Sequence, residues 1–254
     1  MFTTQTPRVR AGRREWAGLA VLMIPVRLIS IVNTGWGFAI PAISTGLRPT
    51  GTQLLWIVDI YALMLAGLLV AMGSIGDRVG RRKLLVIGAF GFGLASLLAA
   101  FSTTAEMLIV SRALLGLFGA TLMPSTLSLI RNIFLNDKDR RVAIATWAAM
   151  FSGGAALGPI VGGILLEHFH WSSVIFINLT LIAIFIPAAL LLLHQSRDPN
   201  PGRIDPLSIG LSMLMLTPLV FAIKHVMVDG VDLLFCGSLA ATVIAGTGFV
   251  LRQL

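Results

Sequence analysis

Eight long apolar runs divide this chain, and no other feature restricts its fold as severely. A helix that crosses a bilayer needs about 20 mostly apolar residues, because each residue advances it by about 1.5 Å. The runs cover residues 17–43, 54–73, 84–102, 107–130, 142–166, 172–193, 207–223 and 233–251. The fifth and sixth carry no charged residue, and the seventh is the shortest. A membrane β-barrel would read instead as ten-residue stretches of alternating polarity. Composition agrees: 56% of residues are hydrophobic and 12% charged, against about 25% charged in a soluble chain. The sequence predicts an all-α polytopic membrane protein of about eight spans, with the lipid bilayer as its solvent.

Basic residues orient these spans. Arg8, Arg10, Arg13 and Arg14 precede the first span, and Arg78, Arg81, Arg82 and Lys83 separate the second from the third. Arg131, Lys138, Arg140 and Arg141 separate the fourth from the fifth; Arg197 and Arg203 follow the sixth, and Arg252 the eighth. The alternate connections hold only Arg48 and Lys224. Positive residues collect on the cytoplasmic side, so the N-terminus and the basic loops are expected there, in a cell-membrane protein. The net charge of +8 is thus read as orientation and not as nucleic-acid binding. The basic-then-apolar start looks like a signal peptide, but its apolar run is too long and no small-residue cleavage site ends it. It reads as an uncleaved first span. The expected organisation is a cytoplasmic segment 1–16, a six-helix bundle 17–193, a Pro-rich cytoplasmic linker 194–206 and two additional helices 207–254.

Some residues within or between these runs carry chemistry. The turn after the second span reads Gly73-Ser74-Ile75-Gly76-Asp77-Arg78-Val79-Gly80-Arg81-Arg82-Lys83. Its glycines allow close approach and positive φ, while Asp77 can sit at a helix N-terminus and pair with an arginine. Arg112 lies six residues into the fourth span. A charge at that depth is costly, so it faces a cavity or a partner, with backbone carbonyls as the structural alternative. Asp59 sits at similar depth in the second span, beside Trp56 and Tyr61. It reads either as a proton or cation site in a low-dielectric cavity or as a carboxylate at the outer mouth. In the fifth span, Gly154, Gly158, Pro159, Gly162 and Gly163 combine a close-packing face with a kink.

These three motifs, in this order, resemble the signatures of the major facilitator superfamily. The Gly73–Lys83 pattern is similar to its loop between the second and third helices. Arg112-Ala113-Leu114-Leu115-Gly116, followed by Gly119-Ala120, is similar to its intramembrane arginine motif. Gly154-x-x-x-Gly158-Pro159-x-x-Gly162-Gly163 is similar to the signature of its antiporter branches. With a Pro-rich linker and two more spans, the chain from about Trp16 onward resembles the first half of the fourteen-helix drug:proton antiporters, above all the actinobacterial multidrug efflux type. The resemblance implies a major-facilitator-type bundle that exports amphipathic cations in exchange for protons. It also implies a proton-coupling role for Arg112 and a conformational-switch role for the loop.

Two departures from that pattern stand out. The antiporter branches carry an aspartate in the first helix, where this sequence has Val32; Trp36 lies between Gly35 and Gly37 one turn later, and Arg27 is an unusual charge for the helix. The chain also ends soon after its eighth span. This leads us to expect a truncated transporter, a transport-inactive remnant, or an assembly partner whose missing bundle comes from a second polypeptide or a second copy. Truncation is the favoured reading.

Other residues are given no role. Glu167, His168 and His170 beside Trp171 read as an interfacial cluster and not as a metal site. Asn178-Leu179-Thr180 is a glycosylation pattern buried within a span. The lone Cys236 excludes an internal disulfide and a cysteine-based metal site. No phosphate-binding loop, catalytic triad or zinc-ligand pair occurs, so no cofactor, metal or catalytic residue is assigned and no enzyme activity is expected.

Overall fold

The computed structural model describes residues 10–168, 172–196, 206–228 and 230–253, and among them every regular element is a helix. There are eight: α1 (Arg13–Leu47), α2 (Gly51–Val79), α3 (Arg81–Ala100), α4 (Ala105–Ile133), α5 (Asp137–His168), α6 (Ser173–Leu192), α7 (Pro206–Val228) and α8 (Leu233–Gln253). Seven of these are long and apolar enough to cross a membrane, whereas the apolar part of α7 covers only Gly210–Ile223. Several helices run past their apolar runs. α5, for example, begins at Asp137 and not near residue 142, because a helix can extend beyond the hydrocarbon layer where charged residues meet water.

Caps fix where helices begin. Thr50 and Gln53 bond reciprocally at the start of α2, Gln53 N to Thr50 Oγ1 at 3.3 Å and Thr50 N to Gln53 Oε1 at 2.8 Å. Such a box satisfies two otherwise orphaned amides. Thr104 Oγ1 accepts from Met107 N at 3.2 Å to start α4. Gln53 Nε2 also donates to Glu106 Oε1 at 2.5 Å, which ties the starts of α2 and α4 together. At the opposite, arginine-rich end, Ala11 N donates to Asp139 Oδ2 at 2.9 Å and joins the starts of α1 and α5.

The first six helices pack with a hidden order. α1 lies against α5 and α6, α4 against α2 and α3, α3 against α6, and α1 against α4. Exchanging α1, α2, α3 for α4, α5, α6 leaves that contact pattern unchanged. Two interlocked three-helix repeats build the bundle, a relation that membrane transporters often hide from sequence inspection. α7 breaks the equivalence. It packs on α2 and carries α8, while α5 receives no such cover. Ser212 Oγ donates to Gly67 O at 3.3 Å, and Met213 lies so close to Gly67 that a Cβ there would meet its Cγ at 2.9 Å. Most of the linker expected at 194–206 lies outside the described residues.

The core runs down the middle of the six-helix bundle. Leu22, Val26, Ile43, Leu85, Phe92, Leu108, Ile130, Phe134 and Phe185 are all closed to solvent. Large apolar residues such as Val70, Phe90, Leu191 and Ile244 are exposed, as expected where the surrounding medium is hydrocarbon.

Candidate functional site

Close packing of α2 on α4 creates the central feature. A Cβ on Gly116 would meet Tyr61 O at 2.5 Å and Met64 Cβ at 2.7 Å, so only glycine permits this approach. One turn earlier on α4, Arg112 faces the same stretch of α2. Its Nε donates to Ile57 O at 2.8 Å and its Nη2 to Val58 O at 3.1 Å. Both carbonyls belong to a continuous helix, and each has a second lone pair to offer.

Aromatic rings flank the guanidinium. It lies 4.4 Å from the ring centre of Trp36 on α1 and 4.9 Å from that of Tyr61 on α2. A desolvated cation over an aromatic face is attracted to its quadrupole by up to about 2 kcal/mol. Arg112 is 3% exposed, so these interactions act in a low-dielectric setting. Its Nη1 and the Tyr61 hydroxyl are buried without a hydrogen-bond partner among the described residues. The carbonyl contacts are those of the structural alternative drawn from sequence; the aromatic pair adds to it.

Asp59 is half-buried on α2, next in sequence to Val58, whose carbonyl accepts from Arg112. Val32, one turn before Trp36, is 3% exposed and belongs to the core. The position where an acid was expected is packed with apolar neighbours. Trp36 and Tyr61 are the residues that sequence reasoning left without a role. The available signal was a tryptophan set between two glycines inside a span.

The Gly73–Lys83 segment forms a tight corner. α2 continues through Val79, Gly80 takes φ 107°, and α3 starts at Arg81. Positive φ of this kind suits glycine and strains other residues. Asp77 sits in the last turn of α2 and not at a helix N-terminus, and it forms an ion pair with Arg81 across the corner. The Arg81 side chain runs over Gly76, where a Cβ would meet its Cδ at 3.1 Å. The last turn of α6 and the chain after it then clasp the corner. Arg81 N donates to Ser196 O at 2.9 Å, Arg82 Nη2 to Leu190 O at 2.7 Å and Lys83 N to Gln195 Oε1 at 3.2 Å. Gly73 packs loosely near Pro124, and Arg78 is exposed.

The glycines of α5 face α1. A Cβ on Gly154 would meet Ser30 Cβ at 2.8 Å, one on Gly158 would collide with Thr34, and one on Gly162 would lie 3.7 Å from Gly35 O. Ser30 Oγ donates to Phe151 O along the same seam. Pro159 is half-buried within the helix. Gly163 differs from the other three glycines, since nothing lies within 4 Å of a Cβ built there. Glu167 and His168 are exposed, while His170 and Trp171 lie outside the described residues. Among the described residues no group of three or more His, Cys, Asp or Glu could hold a metal ion.

Known proteins give this arrangement a context. The Major Facilitator Superfamily profile matches residues 26–253. The chain is 53% identical over 251 residues to the multidrug efflux pump LfrA of Mycolicibacterium smegmatis, covering 99% of this chain and 49% of that protein. It is 41% identical over 211 residues to the methyl viologen resistance protein SmvA of Salmonella typhimurium, covering 83% and 42%. It is 34% identical over 250 residues to the tetracenomycin C resistance and export protein of Streptomyces glaucescens, covering 98% and 46%. The chain spans about half the length of these curated relatives. A crystal structure of a peptide transporter, POT, shares the fold with a TM-score of 0.65 at 18% identity, over 87% of this chain and 49% of that one. Sequence profile, relatives and helix architecture agree: the chain is a multi-pass membrane protein that belongs to the Major Facilitator Superfamily, a family of transporters and not of enzymes.

Proposed function

We propose that this chain forms the N-terminal part of a proton-coupled exporter of amphipathic or cationic drugs, with its basic end in the cytoplasm of the cell. One observation carries the reading: a half-buried carboxylate, Asp59, lies on α2 beside an Arg112 whose position is fixed by two carbonyls and two rings. A carboxylate at this depth in a membrane span can exchange a proton or attract a cation. The names of the relatives support efflux as the direction of transport. A proton gradient supplies about 2.3 kcal/mol per charge per 100 mV from its electrical part.

In this reading Asp59 is the site for protons or substrate cations, and Arg112 holds α2 and α4 in register around it. The Gly73, Gly76, Asp77, Arg78, Gly80 and Arg81 corner acts as the conformational switch. Gly154, Gly158, Pro159, Gly162 and Gly163 give α5 its packing face and bend. The test is dye movement in proteoliposomes with an imposed pH gradient. A transporter that contains the wild-type chain should move a cationic dye, and Asp59→Asn should abolish the pH-driven component. Unchanged transport by Asp59→Asn sinks the assignment.

A second reading, an assembly partner without transport of its own, is favoured by the open flank of α5, whose membrane-crossing window is the least buried of the first six helices. Co-purification of the chain with an intact homologue, together with dye-tight vesicles when it is reconstituted alone, distinguishes the two.

A further inference from the structure

Arg27 contrasts with Arg112. It lies on α1 in the middle of the apolar run, 11 residues beyond Trp16 in sequence, or about 16 Å along the helix axis. The hydrocarbon half-thickness is about 15 Å, which sets Arg27 near the bilayer midplane. It makes no hydrogen bond or ion pair among the described residues, and it is half-buried. It is also the one charged residue on the crossing stretches of α1, α5 and α6.

Arg27 lines a crevice of about 450 Å³ whose other walls are apolar, among them Met23, Ile31, Met150, Val161 and Leu181. α1 forms its floor, and the weakly associated α5 and α6 form its sides. Ala20, Ile24, Arg27 and Ile31 follow one face of α1 at spacings of four, three and four residues. The floor is therefore a continuous apolar stripe broken by a single guanidinium. From Arg27 the stripe runs roughly 10 Å to Ala20, enough to seat about the first half of a long hydrocarbon tail, whose remainder lies in the surrounding lipid. Its volume falls within the ordinary range for a ligand site.

We infer that the α1–α5–α6 crevice binds a single-chain carboxylate amphiphile, such as a long-chain fatty acid, with its carboxylate paired to Arg27 and its tail along the α1 stripe. The charge requires an anion, because an unpaired guanidinium at this depth is costly. The depth selects the kind of anion. The headgroup of a phospholipid is held at the membrane surface, about 15 Å away, whereas a fatty acid can enter as the neutral acid and ionise beside the guanidinium. The site is separate from the Asp59–Arg112 centre and does not rest on the transport reading.

Native mass spectrometry of the purified full chain, with oleate and oleyl alcohol as probes, tests this. The wild type should retain one oleate and no alcohol. Arg27→Leu should lower oleate affinity about tenfold or more, and Arg27→Lys should keep most of it. Leu181→Trp, which narrows the crevice and leaves the charge in place, should also lose oleate. Arg27→Leu removes a membrane-embedded charge and so leaves folding intact, which its unchanged thermal transition will verify. Equal oleate retention by Arg27→Leu overturns the inference, as does retention of the alcohol as tight as that of oleate. Capture of a phospholipid in place of oleate overturns it as well.

Discussion

The guanidinium of Arg112 rests 4.4 Å from the ring centre of Trp36, and this contact joins α4 to α1 across the centre of the bundle. Trp36→Leu keeps much of the apolar bulk but removes the π face. It should cost about 1–2 kcal/mol and lower the thermal midpoint in detergent by roughly 2–8 °C. Trp36→Phe should cost less. Arg112→Met should leave stability nearly unchanged, since an apolar side chain of similar length replaces a desolvated charge. A large loss of stability in Arg112→Met, with none in Trp36→Leu, would contradict the stacking account.

Gly116 and Gly37 make a matched pair. Both lie inside helices, where alanine is favoured over glycine by about 1 kcal/mol. A Cβ at Gly37 meets nothing within 4 Å, whereas one at Gly116 meets Tyr61 O at 2.5 Å. Gly37→Ala should be neutral or stabilising, and Gly116→Ala should destabilise by about 1–3 kcal/mol. Denaturation of the two variants side by side provides the comparison.

The α1–α5 seam predicts a coupled pair. Gly158→Ala collides with Thr34, so trimming Thr34 to alanine should restore part of what Gly158→Ala loses. The coupling in a double-mutant cycle should be about 0.5–3 kcal/mol. Gly163→Ala, which points into open space, should show no coupling to Thr34.

Asp232, in the connection before α8, gives a pH dependence. Its Oδ1 accepts from Phe235 N at 2.8 Å, and its Oδ2 lies 2.9 Å from His225 Nε2. The Phe235 amide first, and the His225 hydrogen bond second, hold its pKa below the usual 3.8. A carboxylate with a depressed folded pKa stabilises the fold above its unfolded pKa and loses that contribution as pH falls through the lowered value. The first turn of α8 should therefore keep its hydrogen-exchange protection near neutral pH and loosen in strong acid. Asp232→Asn should weaken this pH response.

The fold was legible because membrane spans are written as lengths: each apolar run required a helix, and the alternation of arginines ordered their ends. What lay between helices was not. Arg112 and Asp59 stood out as charges inside apolar stretches, but periodicity along one helix does not specify which residues of another it meets. The rings of Trp36 and Tyr61, and the clasp of residues 190–196 on the Arg81 corner, follow from three-dimensional register. The exchange of α1–α3 with α4–α6 was likewise hidden, since it preserves packing partners without preserving residues. Val32 illustrates the converse case, because its identity was readable while its place in the core was not.

The grip of Arg112 on two consecutive carbonyls limits how its two helices can travel. Neighbouring carbonyls on α2 are about 1.5 Å apart along the axis, and no water lies in the hydrocarbon to satisfy the donors during a slip. α2 and α4 must therefore swing together as one plank, and any flexing of the bundle falls on hinges beyond that rivet.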